Sequence, residues 1–152
     1  FTTWQVMDTI DRTGEPASRE IDQPEGAEMA SIDEMIRGYV ASWNESDPAK
    51  RGLTIEKTWS PEGIYRNATA EFEGYDGIAR AVTAAHDAFT ANGFVFTLAR
   101  VDTNHDAIRY RWEMVPAGGG EPDSIGTHVA IVGADGRLVS DHQFIDKPPS
   151  AS

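Results

Sequence analysis

Residues 108–115 read Ile-Arg-Tyr-Arg-Trp-Glu-Met-Val. A β-strand sends successive side chains to opposite faces. One face then carries Ile108, Tyr110, Trp112 and Met114, and the other Arg109, Arg111 and Glu113. Both faces are bulky, and the polar one mixes cations with an acid. Two orientations are open. In one, Arg111 and Glu113 line a cavity and act on a ligand. In the other, the aromatic face points inward and the charges form a solvated cross-strand ladder. An outward aromatic face would need cover, most simply from a second subunit.

The segments around this strand set the fold class. Upstream, Ser31 with Glu34 makes a capping box, and Ile32, Met35, Ile36, Tyr39, Val40 and Trp43 follow helical spacing. Asp47-Pro48 starts a second, short helix running to about Thr58, with Leu53 and Trp59 as its buried residues. Ser60-Pro61-Glu62-Gly63 breaks this helix, and Ile64 to Ala70 reads as a strand. Asp76 caps a third helix with Ile78, Val82, Ala85 and Phe89 on one face, and Asn92-Gly93 stops it. Four strands follow: Phe94 to Val101, the 108–115 strand, Ser124 to Val132 and Arg137 to Asp146. Short turns join them, which implies an antiparallel meander. Helices segregated from an antiparallel sheet indicate α+β.

Composition bounds the function. The chain has 152 residues, enough for one domain with a core. Its net charge of −12 argues against nucleic acid and anionic membrane as partners. No apolar run is long enough to span a bilayer, and no signal peptide is visible. The absence of cysteine excludes disulfides and thiolate sites and fits a cytoplasmic protein. Residues 1–28 are interrupted by Gly14, Pro16, Pro24 and Gly26. They read as an arm, either a flexible extension or a segment appended ahead of a start at Met29. The domain proper spans 29–147, and 148–152 form a short tail.

The order of elements resembles the SnoaL-like branch of the nuclear transport factor 2-like superfamily across residues 31–146. The resemblance rests on Val40-Ala41-Ser42-Trp43-Asn44 and Trp59-Ser60-Pro61-Glu62-Gly63. Gly74-Tyr75-Asp76-Gly77-Ile78, Arg111-Trp112-Glu113, Asp135-Gly136-Arg137-Leu138 and Phe144-Ile145-Asp146 add to it. It implies a cone-shaped domain: a curved antiparallel sheet wrapped around three N-terminal helices, with a pocket between them and frequent homodimers. Members include polyketide cyclases, isomerases, dehydratases and epoxide hydrolases, so the fold leaves the reaction open.

Within that superfamily the chain also resembles the limonene epoxide hydrolase group. Those enzymes carry Tyr-x-Asn on the first strand, Arg-x-Asp on a later one and a second Asp on the last. Tyr65-Arg66-Asn67 matches the first motif, and Arg111-Trp112-Glu113 matches the second with Glu for Asp. Gln143 stands where the second Asp is expected, and Asp141 lies two residues earlier. Epoxide opening needs one acid for the oxygen and one carboxylate for water. Gln143 can supply neither proton transfer, so the match breaks at a catalytic position.

The remaining candidates are histidines. His86 borders the apolar face of the third helix, where packing is the plain alternative to ligand contact. His105 sits in a turn. His128 and His142 lie on the last two strands, where they could meet and act near neutral pH. No spacing of His and carboxylates fits a metal site, and no cofactor motif stands out.

The expectation is therefore a pocket for a small, largely apolar molecule, with acid–base chemistry of the isomerase, cyclase or hydratase kind. Glu113 or Asp141 would transfer the proton, Arg111 would orient it and Tyr65 would donate a hydrogen bond. Asn67, Gln143, Trp112, His128 and His86 would contact the ligand. A non-catalytic dimerisation or protein-interaction module is the rival class, and epoxide hydrolysis a third reading.

Overall fold

The computed structural model describes residues 31–150. The arm expected at residues 1–28 lies outside them. Residues 31–42 are helical (α1). They are followed by α2 (Pro48–Thr58), β1 (Trp59–Arg66), β2 (Glu71–Glu73) and α3 (Gly74–Ala88). A single 3-10 turn leads to β3 (Phe94–Asn104), β4 (Ala107–Pro116), β5 (Ser124–Val132) and β6 (Leu138–Lys147). The six strands form one open, curved sheet in the order β2-β1-β6-β5-β4-β3.

The expected α+β architecture of three helices and a curved sheet is what the chain adopts. The sheet is mixed rather than wholly antiparallel, because β1 and β6 run parallel. The other neighbours pair antiparallel, as the short turns between β3, β4, β5 and β6 require. β6 therefore lies between the first strand and the meander.

Several local readings change. Ser31 is already helical, so it does not act as the cap of α1. The second helix ends at Thr58 as expected, but Ser60 to Gly63 already belong to β1, where the register against β6 shifts between Trp59 and Ile64. Gly63 is buried in this bulge, and a Cβ there would collide with the Trp59 ring. The strand stops early because Asn67 Oδ1 accepts from the backbone N–H of Thr69 and Ala70, at 3.0 and 2.8 Å. This turn sends the chain back along β1 as β2. α3 starts at Gly74, so Asp76 lies inside its first turn rather than at the cap. Leu53 is 63% exposed, not buried. Arg51 takes the inward position instead, donating to the Glu45 carbonyl (2.7 Å) and Thr83 Oγ1 (3.1 Å). Gly93, at φ 98°, closes the 3-10 turn rather than α3 itself.

The core lies between the inner face of the sheet and the helices. α1 contributes Ile36, Tyr39 and Val40, the turn after it Trp43, and α3 Ile78 and Val82. Asn44, just past α1, fastens that helix to β3. Its side chain donates to the Phe96 carbonyl and accepts from the Phe96 N–H, both at 2.8 Å. A side-chain amide that replaces both bonds of a missing strand neighbour satisfies the edge of β3 locally.

The question of orientation in β4 has a clear answer. Ile108, Tyr110, Trp112 and Met114 are all buried, and Arg109 and Arg111 are exposed. Arg109 reaches Asp102 of β3 at 3.1 Å, so the outer face carries the charge ladder. On β5 the inward residues are Ser124, Gly126, His128 and Ala130. Gly126 stands opposite Trp112, and the indole lies against its backbone where a Cβ would collide with it. Gly126→Ala should therefore cost roughly 1–3 kcal/mol through overpacking. Gly118→Ala, in open space, should stay within about 0.5 kcal/mol of the parent. Urea unfolding of the two variants measures the difference.

Candidate functional site

Three side chains from three neighbouring strands meet behind the inner face of the sheet. Tyr110 of β4 and His128 of β5 stand directly opposite each other, and their rings stack with centroids 4.5 Å apart. Asp141 of β6 pairs with Ala130, one inward position along from His128. The Tyr110 hydroxyl donates to Asp141 Oδ2 at 2.6 Å. His128 Nδ1 lies 2.9 Å from the same oxygen and 2.9 Å from the Tyr110 hydroxyl. None of the three is more than 1% exposed.

These distances select a tautomer. Tyr110 has one proton, and Asp141 Oδ2 can only accept when ionised. If His128 carries its proton on Nδ1, both neighbours donate to the carboxylate and every close contact is attractive. A lone pair on Nδ1 would instead face Oδ2. His128 Nε2 is then left as a basic nitrogen. It is buried without a hydrogen-bond partner among the described residues, as is Asp141 Oδ1. Buried polar atoms are nearly always paired, so an unpaired His128 Nε2 on a residue that lines a cavity marks a place where a ligand can act.

A cavity of about 300 Å³ lies against this cluster. His128 lines it, together with Tyr65 and Asn67 of the first strand and turn, Trp112 of β4, and Gln143 of β6. Tyr39, Trp43, Phe72, Phe89 and Phe96 complete its aromatic wall. Asp141 and Tyr110 sit one layer behind, in contact with the cavity through His128. The hydroxyls of Tyr39, Tyr65 and Tyr110 all resist ionisation. Burial is the main cause in each, and the negative charge of Asp141 adds to it.

Of the residues expected from the sequence, the structure brings Tyr65, Asn67, Trp112, His128 and Gln143 to the cavity and places Asp141 just beneath it. Arg111 and Glu113 are not there. They lie on the outer face of β4, because Trp112 between them points inward. An Arg-x-Asp motif needs the opposite parity, so the resemblance to that catalytic pattern does not assemble around Tyr65 and Asn67. His86 is half-buried on α3, with Nδ1 3.4 Å from Asp87, and is not part of the cavity wall. His142 points outward and pairs in register with Val129, so it does not meet His128. Tyr110 is a further residue of the cluster, beyond those expected from the sequence. The alternation placed it on the right face, but only strand register reveals its partners. Trp43, expected as core, is also cavity wall.

Comparison with known proteins agrees with this architecture. The sequence profile of the SnoaL-like domain matches residues 36–141. No curated protein matches the chain. Among solved structures, the chain is similar to a candidate isomerase of the SnoaL-like family from Agrobacterium tumefaciens. The two share 27% identity over 79% of this chain and 98% of the other, with a TM-score of 0.68. A candidate polyketide cyclase from Sinorhizobium meliloti is 18% identical over 75% and 94% of the two chains, with a TM-score of 0.57. A candidate SnoaL-like polyketide cyclase from Jannaschia is 16% identical over 77% and 86%, with a TM-score of 0.61.

The tyrosines yield a test. A hydroxyl whose folded pKa exceeds its unfolded value near 10 costs nothing below that pH. Above it, the unfolded chain releases protons that the folded chain holds, so stability falls as pH rises. Absorbance titration at 295 nm should show Tyr39, Tyr65 and Tyr110 silent near pH 10. They should ionise only together with alkaline unfolding. Ionisation of all four tyrosines near pH 10 in folded protein would contradict the buried cluster.

Proposed function

The chain belongs to the SnoaL-like domain family, and on that footing we propose that it binds a small, largely apolar molecule and performs acid–base chemistry on it without a cofactor. The carrying observation is the buried Tyr110–His128–Asp141 cluster at the wall of an aromatic cavity. His128 Nε2 is the proton-transfer atom. Asp141 fixes its tautomer and stabilises the imidazolium that forms, and Tyr110 holds Asp141 in place. Tyr65, Asn67 and Gln143 supply hydrogen bonds to the oxygen atoms of the ligand. Isomerisation or cyclisation of a cyclic carbonyl compound fits this equipment: a proton leaves carbon for His128 and returns at another position, with no net redox change.

The outer sheet face gives reason to propose a homodimer as well. Val129 and Phe144 are exposed there, Phe144 by 56%, beside the charges of β4. A role as an interaction module alone is less well supported, since side chains leave the cavity open rather than filling it.

The experiment starts from a thermal-shift panel of cyclic ketones, steroids and polyketide-like compounds. Stabilising compounds are then incubated with the protein in D2O, and loss of their C–H signals is followed by NMR. His128→Gln and Asp141→Asn should each slow exchange by roughly 10²–10⁴-fold, the usual weight of a positioned proton-transfer group. Glu113→Ala and Arg111→Ala, on the outer face, should leave the rate within about twofold. Parent-like exchange in both cavity variants would sink the assignment.

A further inference from the structure

The cavity that the proposed function relies on also has an electrostatic character that narrows its ligands. Among the described residues, its lining contains no lysine and no arginine. Seven aromatic side chains contribute to it: Tyr39, Trp43, Tyr65, Phe72, Phe89, Phe96 and Trp112. Three of these form a corner. Trp43 meets Phe96 at 89° and Trp112 at 85°, and Phe96 meets Trp112 at 78°, with centroids 5.3–6.2 Å apart. Tyr65 stacks with Phe72 and with His128, at centroid distances of 5.8 and 6.0 Å. The three corner rings pack edge to face on one another and so turn their π faces in different directions, and each of them also lines the cavity. An aromatic lining of mixed orientation is the kind of surface that attracts quaternary ammonium groups.

The charge behind the wall has the matching sign. Asp141 is fully buried, and its hydrogen-bond donors are a neutral hydroxyl and, in the tautomer derived above, a neutral imidazole. Its negative charge is felt at the hydroxyls of Tyr39 and Tyr65, both cavity residues. In a dry, low-dielectric space such a charge acts at distances where water would quench it. Arg51, the buried guanidinium, is engaged with Glu45 and Thr83 and is not part of the lining.

We propose that the cavity selects ligands carrying a substituted ammonium group, seated among Trp43, Phe96, Trp112, Tyr65 and Phe72 and attracted by Asp141. This rests on the reading of the cavity as a small-molecule site and adds the charge of its ligand. It excludes carboxylates and phosphates, whose charge would meet aromatic faces and a buried anion with no cation to receive them.

Three probes of one shape test the proposal. Choline, 3,3-dimethylbutan-1-ol and 3,3-dimethylbutanoate share the branched head and differ in charge. Dissociation constants come from isothermal titration calorimetry on the whole chain. Choline should bind at least about tenfold tighter than the neutral alcohol, the order expected for a desolvated cation–π site. The carboxylate should bind more weakly than either. Asp141→Asn should remove most of the preference for choline and leave the alcohol nearly unchanged. Phe72→Leu keeps an apolar wall but loses a ring. It should weaken choline several-fold and spare the alcohol, and it serves if Asp141→Asn fails to fold. Equal or tighter binding of the alcohol or the carboxylate overturns the ammonium assignment while leaving a small-molecule cavity intact. Failure of all three probes overturns it too. If the wider compound panel also gives no thermal shift, the small-molecule reading falls with it.

Discussion

Asp141 can occupy the centre of the sheet only because Tyr110 and His128 both reach its Oδ2. An ionised carboxylate taken out of water costs several kcal/mol unless donors replace the lost solvent. Those donors come from β4 and β5, and the carboxylate comes from β6, so one oxygen atom binds three strands by side chains. The register of all three is then fixed twice, once by backbone pairing and once by this oxygen. A slip of one residue would turn Tyr110 outward and bring Arg109 or Arg111 into an aromatic core.

The same parity organises the cavity. Trp112 lies two residues beyond Tyr110 and so shares its face, and Gly126 lies two residues before His128. The indole fits because Gly126 has no side chain to oppose it. Asn44 then holds the α1 end against β3 at Phe96, which brings Trp43 to the two rings it meets edge-on. Packing, hydrogen bonding and the aromatic wall are consequences of one choice of inward face.

Much of this was legible in the sequence, for identifiable reasons. Helical stripes and strand alternation are short-range patterns, so α1, α2, α3 and the meander could be read directly. Tyr65 and Asn67 are visible as candidates through the Tyr-x-Asn resemblance, Gln143 and Asp141 through the place where that pattern expects a second Asp, and His128 through its titratable ring on a late strand. What the sequence does not show is which face of a strand turns inward and which strands far apart in the chain lie side by side. The alternation of 108–115 offers two faces of similar bulk, and the Arg-x-Glu spacing made the charged one tempting. Only burial of Tyr110 and Trp112 decides between them. The parallel β1–β6 pair joins residues far apart in the chain, and no local pattern announces it. Gly63 looked like a breaker because bulge and turn draw on the same residues.

That β1–β6 pair has a consequence for how the protein comes into being. Tyr65 lies beside Asp141 in register, and β6 is flanked on both sides. A chain emerging from the ribosome presents β1 long before the strand that must cover its inner edge. During that interval the first strand has only the three-residue β2 as a partner, and the meander lacks the carboxylate that locks its register. Closure must therefore follow synthesis of β6, and the contacts that finish the fold are the least local ones, the kind that slow folding. The site is completed in the same late step, so a nascent chain without β6 holds neither the central strand nor the His128–Asp141 pair.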